Sequence, residues 1–595
     1  EHLDFSTFDA ESREKANAYS ADIFVQLVNA AMQNLPWDES LEQQRNILSS
    51  KNNEEGNFFE MYCMNLSIVL TDFLRHTFEW FPDFCRVAGL DKHIRYAFKL
   101  MSNITEIKNT ECFKICIGFW HFCASKYAEI SNQGLNLEYE VSHLMAESLQ
   151  QTIVVIVMRV PKPQEVLLYI DEEGVPRRET MRNTETEDLY QQVRDILRAF
   201  AKINWHVLQQ IITCKLELLN QSELLDFDNI NSVCWAVGAL ANAVSEEEER
   251  KYLVMTLRIL LQMCFVRKTT EQRSVVASNI MHIVSQNHNF LRMNYELLYI
   301  VVNKLFEFMS EKFPGVAEMA CNVFLKICEN LKDEFIVKKQ TLDSKFSVPL
   351  INVMIIEIPR VTQSLELTSK LLIYEAAGHV ISAQSSPENV LNTLEAITRS
   401  QLNGWSAVLN APIDQLADET LAQDLSQFFM ICERLCSTTG FRFQTYFDKY
   451  FPQLSSIYIS YSQLLSSSDL KYNASFSRKY RSVRKEIVNL LKTYVREWKT
   501  YPTQFIATYQ PLIVFVSDRY MKEPNEVKEN HVLIFIAECI TALGRELTPL
   551  LSEMLPLIIE NIIPMISTDF VAYSDARANF FKLLEAIASH CFEVF

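Results

Sequence analysis

Residues 245–265, SEEEERKYLVMTLRILLQMCF, read as one helix, and that reading decides the fold. Ser245 stands before four glutamates, which suits the N-cap and the positive end of a helix dipole. Leu257, Leu261 and Cys264 then follow at i, i+4 and i+7 as one stripe, while Leu253, Leu260 and Met263 line another side. The same grammar continues on both sides. Upstream it predicts helices near 18–34, 57–79, 91–103, 109–129, 138–160, 187–199, 203–219 and 229–244. From this segment onward it predicts them near 247–266, 271–286, 290–312, 315–333, 346–363, 366–384 and 387–407. The remainder lie near 421–438, 444–465, 476–498, 502–521, 526–543, 548–566 and 573–593. Ser386 before Pro387, and Ser574 with Asp575, are further candidate caps.

Helix pairs recurring about every 40 to 47 residues match HEAT or armadillo arrays. The fold class predicted is all-α: an α-solenoid of degenerate HEAT repeats, roughly 13 helix pairs, spanning 1–595 as one array. Composition agrees. The chain has 11 glycines in 595 residues, against an ordinary level of ~7%. Glycine-dependent architectures such as Rossmann sheets, P-loops and β-sandwiches are therefore disfavoured. With 48% hydrophobic and 22% charged residues the chain can bury a large core. Its net charge of −18, from 56 basic and 74 acidic residues, argues against a nucleic-acid backbone as partner.

One segment breaks the rhythm. Residues 161–189, PKPQEVLLYIDEEGVPRRETMRNTETEDL, carry early prolines, a DEEG turn and many acids, which predicts a β-hairpin or extended flap. Such an insertion is either a solvated surface loop or a functional one. The region 250–312 is the second exception. Ala277 and Met281 are spaced i, i+4, and ELLYIVVNKLFEFM puts Leu297, Val301, Lys304, Leu305 and Phe308 on one side. Ile300, Val302, Phe306 and Met309 cover much of the rest. Either these helices are buried all round, or an apolar face stays open as a groove for a partner.

Catalytic grammar is thin: there is no Walker A, G-x-S-x-G, H-E-x-x-H or G-x-G-x-x-G pattern. An enzyme and a bound cofactor are not expected. The 14 cysteines are scattered, with Cys112/Cys116 and Cys432/Cys436 at helical spacing, so they read as buried thiols of a reducing compartment and not as metal ligands. His206 and His379 read as core or boundary residues. The apolar runs 151–160 and 296–309 are shorter than the ~20 residues that span a bilayer, and no membrane partner is expected. The final SHCFEVF stops inside an apolar pattern, which suggests a piece of a longer solenoid.

ASNIMHIV (277–284), NFLRMNYELLYIVVNKLFEFM (289–309) and GVAEMACNVFLKI (315–327) closely resemble the exportin-1 family of receptors for leucine-rich nuclear export signals. So do NSVCWAVGALANAVSEEEERKYLV (231–254), KPQEVLLYIDEEG (162–174), TECFKICIGFWHF (110–122) and FVAYSDARANFFKLLEAIASHCF near the end. The likeness runs from about 110 to 592 and is weaker over 400–500. It implies a HEAT solenoid of the importin-β superfamily that takes cargo signals into a groove between outer helices, cooperatively with Ran in its GTP form. Ran-binding proteins and nucleoporins are further implied partners, and the implied location is nucleus and cytoplasm, shuttling through the nuclear pore.

The resemblance implies a groove at 250–312 built from Leu257, Leu261, Cys264, Ala277, Met281, Phe290, Leu297, Val301, Lys304, Leu305 and Phe308, with Glu307 at its edge. Cys264 matches the family's cysteine that Michael acceptors alkylate. Thr270 stands where the family has the first of two basic residues and Arg273 at the second; Leu297 replaces an aromatic and Ile300 a threonine. The insertion matches the family's acidic loop, with Glu165, Asp171, Glu172, Glu173 and Gly174 as its acidic turn. Other importin-β-family receptors, and HEAT scaffolds independent of Ran, are the competing readings.

Overall fold

Helix pairs stacked side by side build the protein, and their order follows the apolar periodicity of the chain. The computed structural model describes residues 10–35, 41–51, 53–76, 78, 90–133, 139–163, 165–170, 176–181, 184–311, 315–338, 348–401, 413–466, 474–568 and 573–594. These residues fall into two compact units: the first within Glu1–Leu167 and Glu179–Asn287, the second within Leu168–Arg178 and His288–Phe595.

In the first unit the helices are α1 (Ala10–Asn34), α2 (Leu41–Lys51), α3 (Asn53–His76), α4 (Leu90–Thr105), α5 (Thr110–Gln133) and α6 (Tyr139–Met158). They continue, after the insertion, as α7 (Glu185–Gln221), α8 (Phe227–Ala239), α9 (Glu246–Val266) and α10 (Thr270–Gln286). One layer stacks α3, α5, the first part of α7, α8 and α10 in succession; α4 and α6 pack in the other, and α9 packs on α7 and α10. α7 changes direction at Asn204, whose backbone is non-helical (φ −153°, ψ 80°) and whose Oδ1 accepts from the Val207 N–H at 3.2 Å. The asparagine thus caps a helix start inside a 37-residue element, where the sequence pattern had placed a break.

The second unit contains α11 (His288–Met293), α12 (Tyr295–Phe308), α13 (Val316–Ile336), α14 (Leu350–Val361), α15 (Leu367–Ser382), α16 (Pro387–Thr398) and α17 (Glu419–Thr439). It ends with α18 (Gln444–Ser466), α19 (Ala474–Glu497), α20 (Pro502–Lys522), α21 (His531–Leu543), α22 (Thr548–Thr568) and α23 (Ser574–His590). Alternate helices α13, α15, α17, α19, α21 and α23 form one continuous layer, and α12, α14, α16 and α18 form the other with α20 and α22. This two-layer alternation is the HEAT solenoid that the sequence predicts.

Arginines at the repeat junctions hold helix ends. The last carbonyls of a helix have no intrahelical donor and carry partial negative charge, which a guanidinium fork can satisfy. Arg159 donates to the carbonyls of Thr105 (2.8 Å) and Ile107 (2.7 Å) at the end of α4 and just past it, and Arg198 to Ala239 (3.0 Å) and Ala241 (2.5 Å) at the end of α8 and just past it. Arg442 binds the carbonyls of Ser382, the last residue of α15, and Gln384 just past it, and Arg577 that of Ile566 in α22 at 2.9 Å.

Of two candidate caps, one behaves as expected and one does not. Ser386 accepts from the Asn389 N–H, as its place before Pro387 predicts. Tyr573, not Ser574, occupies the cap position of α23. Among the described residues, His531–Thr568 is long and apolar enough to cross a membrane by length and composition, a run the sequence reading did not single out. Gly544, at φ 56°, breaks it into α21 and α22, and α21 is buried along most of its length.

Candidate functional site

Ser245 stands at the N-cap position of α9, but its side chain caps no backbone N–H. The Ser245 hydroxyl donates to Glu248 (2.7 Å), and the Glu249 carboxylate accepts from the Asn242 N–H (2.7 Å), which leaves a solvated acidic first turn. Tyr252, Leu253, Thr256, Leu260 and Met263 form its buried side. Trp205 of α7 meets Tyr252 edge to face at 5.0 Å, so that flank of α9 lies against α7. Leu257, Leu261 and Cys264 occupy the opposite flank. Leu257 and Cys264 are half-buried, and Leu261 is 59% exposed. Phe265, the residue after the cysteine, is 88% exposed and extends this apolar surface. Helical spacing from Leu261 could have found it, four residues on.

The Cys264 thiol donates to the Arg273 carbonyl at 3.8 Å. Burial pushes the thiol above its ordinary value of 9.0, and the nearby Arg273 charge pulls the other way without reversing the direction. Thr270 opens α10 beside the N-cap Thr269, which accepts from the Gln272 N–H at 3.3 Å. Ala277 and Met281 on α10 are 8% and 4% exposed, so both are core residues of the first unit.

In the second unit Asn294 ends α11 and caps α12, accepting from the Leu297 N–H at 3.1 Å. The single helix expected over 290–312 is therefore two, because an asparagine side chain competes with the helix for backbone donors. Tyr295 donates to the Val348 carbonyl (3.4 Å), and Arg360 at the end of α14 reaches Ser310 (3.5 Å), which puts that flank of α12 against α14. Leu297, Val301, Lys304 and Phe308 lie on the other flank. Leu297, Val301 and Phe308 are half-buried, as is Phe290 of α11. Lys304 and Glu307, both exposed, form an ion pair at 2.5 Å. Leu305 is 2% exposed and belongs with Leu298, Val302 and Phe306 in the core, since it sits one step inward from Val301 on the helix surface. Ile300 points to solvent, and Met293, unnoticed in the sequence, is also exposed.

The insertion forms a two-stranded sheet of β1 (Glu165–Ile170) and β2 (Pro176–Met181), with Leu167, Tyr169 and Ile170 exposed. Glu165 belongs to β1; Asp171, Glu172, Glu173 and Gly174 lie outside the described residues. The thiols of Cys112 and Cys116 are buried in the first unit, where burial raises them to about 11 and about 12. Among the described residues no group of three or more His, Cys, Asp or Glu is placed to hold a metal ion.

Family models described as CRM1 C terminal, CRM1 / Exportin repeat 2 and CRM1 / Exportin repeat 3 match residues 446–595, 142–208 and 221–271. Exportin-1 of Dictyostelium discoideum is 30% identical over 512 residues, covering 84% of this chain and 48% of that protein. Protein EXPORTIN 1A of Arabidopsis thaliana is 26% identical over 578 residues, covering 91% and 52% respectively. The chain thus spans about half the length of the relatives it matches. Among solved structures, importin 13 in its cytosolic state aligns with TM-score 0.60 at 11% identity over 96% of this chain and 60% of that one, a likeness of fold alone. These family matches and relatives, agreeing along the chain, make it a divergent member of the exportin-1 (CRM1) family.

Proposed function

We propose that the protein is a nuclear export receptor that binds leucine-rich export signals of cargo proteins. The observation that supports this reading most is, in each unit, an apolar helix flank that packing leaves partly open. One is Leu257, Leu261 and Cys264 on α9; the other is Leu297, Val301 and Phe308 on α12. Each offers apolar side chains at helical spacing, the chemistry that an amphipathic peptide seeks for its anchors. Ala277 and Met281 lie in the core of the first unit and Leu305 in the core of the second. The Lys304–Glu307 pair stands beside the α12 flank and would orient polar or acidic groups of the bound segment.

Binding draws its free energy from anchor burial, at ~25 cal/mol per Å², less the cost of ordering the peptide. Ran in its GTP form is the proposed second ligand, with Ran-binding proteins and nucleoporins as further partners of a receptor that shuttles between nucleus and cytoplasm. No step of this function needs a cofactor or a catalytic group. Linkage requires each ligand to raise the other's affinity by the same factor, typically ~5–150-fold. Titration of a fluorescent leucine-rich export peptide, with and without GTP-loaded Ran, tests the reading. The expected result is tighter peptide binding with Ran and an equal gain in Ran affinity with peptide. Absence of peptide binding in both conditions would remove the proposal.

A further inference from the structure

Arg267 follows α9 and is 5% exposed. Its Nη1 donates to the carbonyls of Ser222 (2.6 Å) and Glu223 (3.4 Å), and its Nη2 to those of Leu219 (2.6 Å) and Asn220 (3.2 Å). All of these lie at the C-terminus of α7 or in the turn after it, where carbonyls have no intrahelical donor. The buried cation is thus compensated by the negative end of a helix. Arg267 also offers its own carbonyl to Arg273, whose Nε donates at 2.8 Å. The Arg273 carbonyl in turn accepts the Cys264 thiol. One chain of contacts therefore runs from the end of α7 through Arg267 and Arg273 to Cys264, entirely within the first unit.

We propose that Arg267 is the positioning residue of the α9 flank: it fixes the α9–α10 turn against α7 and so holds Leu261 and Cys264 in their half-open placement. Only a planar fork reaches the carbonyls on both sides of Ser222 together; a lysine supplies the charge from a single point. The inference rests on the reading of the α9 flank as a binding surface, but its test does not depend on peptide.

The test is the alkylation rate of Cys264 relative to Cys214, an exposed thiol on α7, followed by mass spectrometry of the folded protein. Arg267→Lys is expected to raise the ratio about tenfold, the loss of at least one charge-assisted hydrogen bond. Arg159→Lys, which weakens the same kind of helix-end clamp at α4, should leave the ratio within about twofold even if the melting temperature falls equally. Should Arg267→Lys fail to fold, Arg273→Lys keeps the exposed charge near Cys264 but loses the Nε donor to the Arg267 carbonyl, so it cuts the same chain from outside and must raise the ratio in the same direction. A ratio unchanged in the Arg267 or Arg273 variant, or moved as much by Arg159→Lys, overturns the inference. A shifted ratio in a protein that binds no export peptide leaves Arg267 as a positioning residue and removes the function instead.

Discussion

At Glu529 a carboxylate is kept charged in the interior of the second unit. Burial alone would raise it, but the His531 Nδ1 contact at 2.9 Å, the His531 N–H at 3.2 Å and the charge of Arg484 together bring it below its ordinary 4.5. A depressed carboxylate contributes stability that is complete above the unfolded value and is lost as pH falls through the folded one. Glu529→Gln should therefore cost about 1–3 kcal/mol near neutral pH, the range for a hydrogen bond to a charged group. Urea unfolding of both proteins, near neutral pH and in acid, should show that gap shrinking as pH falls below the ordinary 4.5 and through the lower folded value. A gap of the same size at both pH values would mean that the side chain acts through shape and not through charge.

Between elements, one close approach involves a glycine that the sequence gives no reason to notice. A Cβ built on Gly378 of α15 would lie 1.8 Å from Thr438 Oγ1 of α17. Gly378→Ala should destabilise the second unit by about 1–3 kcal/mol through overpacking. Adding Thr438→Ala should return part of that loss in thermal or urea unfolding, because the nearest obstructing atom is then gone while the Cβ at 2.9 Å stays; no recovery would place the strain in the backbone. The helices themselves were largely legible, since their apolar stripes repeat at a period that only a helix satisfies. α2 was not: LEQQRNILSSK has too few apolar positions to form a stripe and is held by α3, where Arg45 pairs with Glu60. Asn294 looked like an ordinary helix residue, yet it caps a new helix start, a role decided by competing local hydrogen bonds, whereas the break at Asn204 was already marked by the gap between the helices expected at 187–199 and 203–219. Among the site residues, the spacing on α9 found the exposed flank, but spacing cannot separate Val301 from the core residue Leu305, since neighbouring helical rows differ only in what packs on them. Arg267 was invisible for a similar reason: its carbonyl partners come from the backbone some 45 residues upstream.

For the whole molecule, the acidic balance says little about the specific partner, whereas the placement of apolar side chains says more. In the first unit the α9 flank is apolar and partly open, and the proposed function assigns the export signal to it. The most direct measurement compares two substitutions on one helix with matched exposure. Leu261, on the flank proposed to seat the export signal, is 59% exposed; Val266, on the flank toward α7, is 58% exposed. Both become aspartate, and each variant is titrated with the same fluorescent leucine-rich peptide beside the wild type. Leu261→Asp should weaken binding by at least about thirtyfold, because it buries a charge against an apolar anchor. Val266→Asp should stay within about threefold of the wild type. Equal affinities for the two variants, whether both strong or both weak, would contradict the assignment of the signal to the Leu257–Leu261–Cys264 flank.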